Sequence, residues 1–138
     1  MIIVAIFLGI VFACLALLHA YWACGGTWAA GVALPKQTNG RLLFQPGISA
    51  CVLVALGLAA FAYLCLAHVG LVPFAVVAGW TKPGLFGIGG IFALRTLGDF
   101  KYVGFFRQVR TTDFAHMDRI LYTPLCFALS GLLAWLAW

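Results

Sequence analysis

The residues best able to do polar chemistry lie in one stretch of the chain, positions 95–119. This stretch holds all three acidic residues, Asp99, Asp113 and Asp118, and five of the eight lysine and arginine residues. Carboxylates beside guanidiniums can transfer protons, bind an anion or pair with one another. Because 65% of the chain is hydrophobic, we expect any polar chemistry or polar recognition to occur here.

Three of these side chains are spaced for one face of a helix: Arg95, Asp99 and Tyr102 lie at i, i+4 and i+7. An Arg–Asp pair inside a membrane helix can bind an anionic head group, carry a proton or fix helix packing. A pair that reaches out to the membrane interface is the structural alternative. We therefore predict a ligand-binding set of Arg95, Asp99, Tyr102, Arg107 and Trp22.

Four side chains are candidates for acid–base catalysis, namely His19, Asp99, Tyr102 and Asp118. His19 is expected on the same side of the membrane as His116 and Asp118, so a metal or acid–base cluster of these three is a further interpretation. The chain has no His-x-x-x-His or His-x-x-Glu spacing and no glutamate at all. We predict no bound metal and no cofactor, and no recognisable catalytic motif is present.

A basic cluster follows the same stretch, formed by Lys101, Arg107, Arg110 and Arg119. It can hold anionic lipid, or it can act only as a solvated determinant of membrane topology. The sequence leaves both interpretations open. The net charge of +5 does not indicate nucleic acid, because the basic residues gather at helix ends and do not form a broad soluble face.

The rest of the chain has the composition of a membrane protein. Only 8% of the residues are charged and the mean hydropathy is +1.12, whereas soluble domains have about 25% charged residues. A bilayer crossing needs about 20 apolar residues. The sequence therefore predicts an all-α fold, an integral membrane four-helix bundle in one domain (residues 1–138). Its helices are expected at about 2–22, 46–68, 84–106 and 114–138.

The third helix can be framed in two ways. A helix over residues 74–94 puts Arg95 at the membrane edge but places Lys82 and Pro83 in the bilayer centre. A helix over 84–106 instead puts Arg95 and Asp99 near mid-membrane, where they can neutralise one another. We prefer the second frame.

The connections and the last helix carry further predictions. A turn is expected at Gly70 with Pro73, which leaves residues 74–80 as a short interfacial segment. Asp113 is the expected N-cap of the last helix, and Pro124 is expected to kink it.

The lysine and arginine residues also predict a topology. Seven of the eight lie in or beside the first and third connections, and only Lys82 lies in the second. The positive-inside rule then puts these two connections in the cytoplasm and both termini outside a bacterial inner membrane. The segments Arg41–Pro46 and Arg119–Pro124 match at several positions, 78 residues apart, which is consistent with two helix–loop–helix repeats.

Several motifs resemble a known family. They are His19–Gly26 (HAYWACGG), Phe44–Gly47 (FQPG), Leu94–Arg107 (LRTLGDFKYVGFFR) and Tyr122–Cys126 (YTPLC). Together they resemble small bacterial four-helix integral membrane proteins known only as a domain of unknown function. The resemblance covers nearly the whole chain, and Leu94–Arg107 is its most specific part. It implies a four-helix fold in a bacterial cytoplasmic membrane and implies no activity.

The expected function is therefore non-catalytic. With 12 phenylalanines and 5 tryptophans, the chain is too small to bury all its aromatic side chains. We expect an accessory subunit of a membrane complex or a lipid-contacting bundle. Its expected partners are membrane lipids and other membrane subunits or further copies of itself, with no nucleic acid. Two alternatives remain, a small membrane enzyme acting on a lipid or isoprenoid substrate at the cytoplasmic rim and a minimal transporter.

Overall fold

The computed structural model describes residues 1–73 and 79–138. Over these two ranges the chain is all-α, with an isolated β-bridge between Lys36 and Leu42 and no strand. Its five helices are α1 (Ile2–Ala23), α2 (Ala30–Ala33), α3 (Ile48–His68), α4 (Thr81–Leu97) and α5 (Asp113–Ala137). Loop 1 is residues 24–47 and loop 3 is residues 98–112.

Glycine ends both α1 and α3. After α1, Gly25 adopts a φ of 90°, and after α3, Gly70 adopts a φ of 76°. At each end two backbone N–H groups bond back to the last turn, as with Leu71 N to Leu66 O at 3.0 Å. This arrangement needs a left-handed residue, which glycine supplies without a steric penalty. The chain thus turns at Gly70, where the sequence predicts a turn.

Three of the described helices are long and apolar enough to cross a membrane, judged by length and composition: α1, α3 and α5. The sequence predicts four crossings. The remaining long helix, α4, has 17 residues, which at about 1.5 Å each is somewhat shorter than a ~30 Å hydrocarbon core. The fold therefore has three candidate spans in its described part, with α4 packed beside them.

The four long helices share one hydrophobic core. Leu8 and Phe12 of α1, Cys65 of α3, Leu85 of α4 and Leu133 of α5 have no solvent exposure and belong to one cluster. α1 packs mainly along α3, and α4 packs mainly along α5. The core therefore joins two helix pairs, and the outer faces of these helices do not contribute to it.

The bounds of the third long helix differ from both predicted ranges, 74–94 and 84–106. It begins at Thr81 and ends at Leu97, so the preferred helix over 84–106 is wrong. Pro83 fits in the first turn, where its missing N–H has no intrahelical partner to lose. Gly98, with a φ of 83°, stops the helix. The interfacial segment predicted over 74–80 lies largely outside the described residues.

α5 contains a π-helical turn at Asp118–Tyr122, which ends two residues before Pro124. A π turn widens the helix by one residue, often at functional positions, and here it includes Asp118. The N-cap is Thr112 and not Asp113, because Thr112 Oγ1 accepts from the N–H of Ala115 at 3.2 Å. Pro124 thus lies inside a continuous helix, and the departure from α geometry precedes it.

Loop 1 contacts the first turns of α5, the helix that follows loop 3. Lys36 Nζ lies 3.9 Å from Asp113 Oδ2, and Tyr122 Oη donates to the carbonyl of Val32 at 3.3 Å. At the opposite end, Lys82 Nζ donates to the carbonyl of Trp138 at 3.4 Å. α4 and α5 are therefore antiparallel, and loops 1 and 3 lie at the same end of the helices.

The two matching segments do not share a secondary structure. Arg41–Pro46 is non-helical and ends before α3 begins, whereas Arg119–Pro124 lies wholly inside α5. The pairing of α1 with α3 and of α4 with α5 is compatible with a duplication. The sequence match itself gives no structural support for one.

Candidate functional site

Asp118 is the centre of a buried polar cluster. Its side chain has no solvent exposure. Oδ1 accepts a hydrogen bond from Arg95 Nη2 at 2.8 Å. Oδ2 accepts from the N–H of Gly104 at 2.9 Å, from Arg107 Nη1 at 3.1 Å and from Thr123 Oγ1 at 3.1 Å. These five residues are called the Asp118 cluster below.

The Asp118 cluster holds three parts of the chain together. Arg95 comes from the last turn of α4, Gly104 and Arg107 come from loop 3, and Thr123 comes from α5 itself. Removing a carboxylate from water is costly unless charges and hydrogen bonds replace the lost solvation. Here two guanidiniums, an amide and a hydroxyl do so. The cluster therefore fixes how loop 3 lies across the ends of α4 and α5.

Loop 3 is shaped by two glycines and Asp99. Gly98 and Gly104 have φ values of 83° and 86°, and a Cβ on Gly104 would lie 2.6 Å from the Cα of Gly98. Such a close approach of two backbones excludes side chains at both positions. The loop then returns to α4, because the N–H of Phe105 donates to the carbonyl of Thr96 at 2.9 Å. This turn directs the N–H of Gly104 at Asp118.

Asp99 closes the same turn. Its Oδ1 accepts from the backbone N–H groups of Lys101, Tyr102 and Val103 at 3.0, 2.7 and 2.9 Å. Partial burial on its own would raise the pKa of Asp99, but these amide hydrogen bonds outweigh that effect and hold the pKa below its ordinary value. The predicted Arg95–Asp99 pair is wrong, because α4 ends before Asp99 and Arg95 pairs with Asp118.

His19 and Trp22 lie at a different place, at the end of α1. His19 Nδ1 is 2.8 Å from the carbonyl of Leu15. The ring centroids of His19 and Trp22 are 5.0 Å apart. Trp22 Nε1 donates to the carbonyl of Trp28 at 2.8 Å. Both side chains line a largely apolar cavity of about 540 Å³ between α1, loop 1 and the start of α3.

The metal interpretation finds no geometric support. Within residues 1–73 and 79–138, no three His, Cys, Asp or Glu side chains lie close enough to hold one ion. His19, His116 and Asp118 therefore do not form the cluster considered from the sequence.

A second cavity, of about 460 Å³, lies against the Asp118 cluster. It is called the basic cavity below. Four of its lining side chains are basic, those of Arg107, Arg110, His116 and Arg119. The others are small or aromatic, namely Phe105, Ala115 and Thr123. Arg107 and Thr123 belong to both the basic cavity and the Asp118 cluster. The site thus has a buried anionic centre and a cationic opening.

The predicted site residues fall into three groups. Arg95, Arg107 and Asp118 come together, whereas Asp99 and Tyr102 form the turn of loop 3 and His19 and Trp22 line the apolar cavity. The sequence reasoning missed Gly104 and Thr123. Thr123 lies five residues after Asp118, a separation that meets on a π turn and not on an α-helix. The catalytic and ligand-binding roles remain predictions.

Comparison with known proteins gives one match, to a family model. Searches of curated proteins and of solved structures found no match to this chain. A family model matches residues 12–133, which is most of the chain. The expected resemblance to a family of unknown function is confirmed. The chain belongs to the family described as "Protein of unknown function (DUF3995)".

Proposed function

We propose that the chain is an integral membrane four-helix bundle that works by contacting lipid and has no catalytic role. One observation carries this proposal. In an 18-residue apolar stretch of each candidate span, only 28%, 28% and 33% of the residues are buried inside the chain. The outer faces present large apolar side chains, which water does not tolerate over such an area. They include Ile3, Leu17, Leu53, Phe127 and Trp135, which are between 58% and 82% exposed.

The packing of α4 supports four crossings. α4 shares the core with the three candidate spans, through Leu85 and Ile88. Lys82 lies in its first turn and Arg95 in its last turn. Charges at both ends of a short apolar helix can reach the two interfaces while the middle of the helix lies in hydrocarbon.

The distribution of charge supports an orientation. Loop 1 lies against the start of α5, which follows loop 3, and this end of the molecule carries seven of the eight lysine and arginine residues. We place this end in the cytoplasm of a bacterium and both termini outside, following the positive-inside rule. The Asp118 cluster would then lie where the cytoplasmic side of the bundle meets the membrane interface.

The hydrogen bonding of Asp99 and Asp118, the two aspartates among the catalytic candidates, disfavours the enzyme and transporter alternatives. Asp118 accepts four hydrogen bonds, and Oδ1 of Asp99 accepts three. A general base needs a lone pair directed at its substrate, and a proton carrier must exchange protons with solvent. Carboxylates held this way fit a positioning role.

Fractionation and native mass spectrometry test the proposal. The tagged protein should stay in the membrane fraction after alkaline carbonate washing, and it should keep bound phospholipid in a neutral detergent. Release into the soluble fraction, or a clean monomer without lipid, would overturn the proposal. A stoichiometric protein partner in place of lipid would contradict lipid contact as the main role and support the accessory-subunit alternative.

A matched pair of variants sharpens this test. Leu53→Asn changes a side chain on the outer face of α3, and Phe44→Asn changes one in loop 1; both are more than half exposed. If α3 faces lipid, only Leu53→Asn should lower the amount of protein retained in the membrane, because polar groups in hydrocarbon are costly. Equal retention of the two variants would contradict a lipid-facing α3.

A further inference from the structure

We propose that the basic cavity binds a phosphate group, carried either by an anionic phospholipid head group or by free inorganic phosphate. This inference deepens the proposed lipid contact and rests on it, because it names the chemistry through which one lipid would be selected. The apolar outer surface alone would not select a phosphate, since apolar side chains do not distinguish charged head groups from neutral ones.

The first observation is a surplus of positive charge around one buried carboxylate. One carboxylate, Asp118, serves two guanidiniums, those of Arg95 and Arg107. Among the described residues, Arg95 Nη1 and Arg107 Nε are buried without a hydrogen-bond partner. The side chain of Arg107 is only 9% exposed. Buried donors are normally satisfied, so an additional anion beside Arg107 would complete the site.

The second observation is the set of groups around the opening. Arg110, His116 and Arg119 line the basic cavity, are exposed, and make no side-chain hydrogen bond or ion pair with the described residues. Among the described residues, no acidic side chain lines the cavity. Guanidinium groups bind phosphate oxygens through paired N–H donors. A phosphate in the cavity would therefore have the buried guanidinium of Arg107 beneath it and three basic side chains around the opening.

The third observation favours a lipid as the source of the phosphate. Phe105 lines the basic cavity, and its ring lies 6.3 Å from that of Phe127 on α5. Both rings are more than half exposed. They continue from the cationic opening onto the apolar outer face of α5, where an acyl chain can lie. A volume of about 460 Å³ is also within the range of about 300–1,000 Å³ typical of small-molecule sites.

Binding measurements on delipidated protein in neutral detergent test the proposal. The probes are short-chain phosphatidylglycerol, short-chain phosphatidylcholine and inorganic phosphate. The test variant is the double substitution Arg110→Gln/Arg119→Gln, which leaves the Asp118 cluster intact. The control is Arg41→Gln/Lys82→Gln, which removes the same charge from exposed residues that do not line the basic cavity.

We expect wild-type protein to bind phosphatidylglycerol more tightly than phosphatidylcholine. The test variant should bind phosphatidylglycerol about tenfold more weakly, as expected for the loss of two charged contacts at an exposed rim, while the control stays within about twofold. Binding of inorganic phosphate with the same variant dependence, and no added affinity for the lipid, would support the site with free phosphate as its ligand.

Two results would overturn the inference. One is an absence of binding for both phosphatidylglycerol and inorganic phosphate. The other is an equal loss in the test and control variants, which would reflect net charge alone. Lipid that co-purifies without preference for head-group charge, together with no binding of inorganic phosphate, would end this inference and leave the lipid-contacting function standing. A protein that retains no lipid but binds inorganic phosphate with the expected variant dependence would contradict the lipid-contacting function and leave the phosphate site standing.

Discussion

The guanidinium of Arg95 lies 2.8 Å from the carboxylate of Asp118, 23 residues further along the chain. The contact connects the last turn of α4 to the π-helical turn of α5. Because Asp118 also binds Arg107 and the N–H of Gly104, the same carboxylate sets the path of loop 3. One acidic side chain thus determines the geometry of the basic end of the molecule.

Replacing Asp118 with asparagine should strongly destabilise the protein. The substitution removes the counter-charge of two guanidiniums, and breaking a buried ion pair costs about 3–5 kcal/mol. Asp113→Asn is the matched control, since that side chain is 80% exposed and its Lys36 partner is 3.9 Å away. It should change the free energy of unfolding by about 0–1 kcal/mol. Unfolding in detergent measures both, and equal effects would contradict the buried cluster.

Asp99 should stabilise the protein only while its carboxylate is charged. Folding lowers its pKa, so its contribution is fully present above the unfolded pKa of about 3.9. That contribution is lost as the pH falls through the lower pKa of the folded state. The difference in unfolding temperature between wild type and Asp99→Asn should therefore shrink below about pH 4. A difference that grows on acidification would contradict the amide-bound carboxylate.

Gly98→Ala should damage loop 3. A Cβ at this position would overlap the carbonyl of Val103, and the φ of 83° disfavours any L side chain. We expect a loss of about 1–3 kcal/mol in stability from the backbone strain alone. Gly87→Ala, in α4 with no atom within 4 Å of the added Cβ, should be neutral or stabilising. Thermal unfolding of the two variants checks this, and equal stability would mean that loop 3 does not fold as described.

The predicted topology can be tested at the C-terminus. If Trp138 lies outside the cytoplasm, alkaline phosphatase fused after it should be active, because the enzyme needs an oxidising compartment for its disulfides. A fusion at Gln108 in loop 3 should be inactive. The reverse pattern of activities would mean that the basic loops face away from the cytoplasm and that the positive-inside rule fails for this chain.

Local signals were enough to predict α1 and α3. Each is an uninterrupted apolar run of membrane length, and glycine follows both, so the observed bounds, Ile2–Ala23 and Ile48–His68, differ from the predicted ones by two residues at most. The end of α4 was also signalled, by Gly98 followed by Asp99. The expectation of an Arg–Asp pair at i, i+4 spacing outweighed that signal and extended the helix too far.

The Asp118 cluster could not be derived from local pattern. Its members lie in α4, loop 3 and α5, and their contacts depend on how the loop folds back between Gly98 and Gly104. The sequence indicated that Arg95 needed a buried counter-charge. Asp99 has the spacing for such a pair on one helix, but in the structure Arg95 pairs with Asp118, which lies on α5.

The most direct test of the Asp118 cluster is a pair of double-mutant cycles measured by unfolding in detergent. One cycle combines Arg95→Gln with Asp118→Asn, and the other combines Arg95→Gln with Asp99→Asn. Residues in one buried network show coupling energies of about 0.5–3 kcal/mol, whereas independent sites add within about 0.5 kcal/mol. We predict coupling of at least about 1 kcal/mol for Arg95 with Asp118 and additivity for Arg95 with Asp99. Additivity in the first cycle, or coupling only in the second, would contradict Asp118 as the shared partner at the centre of this site.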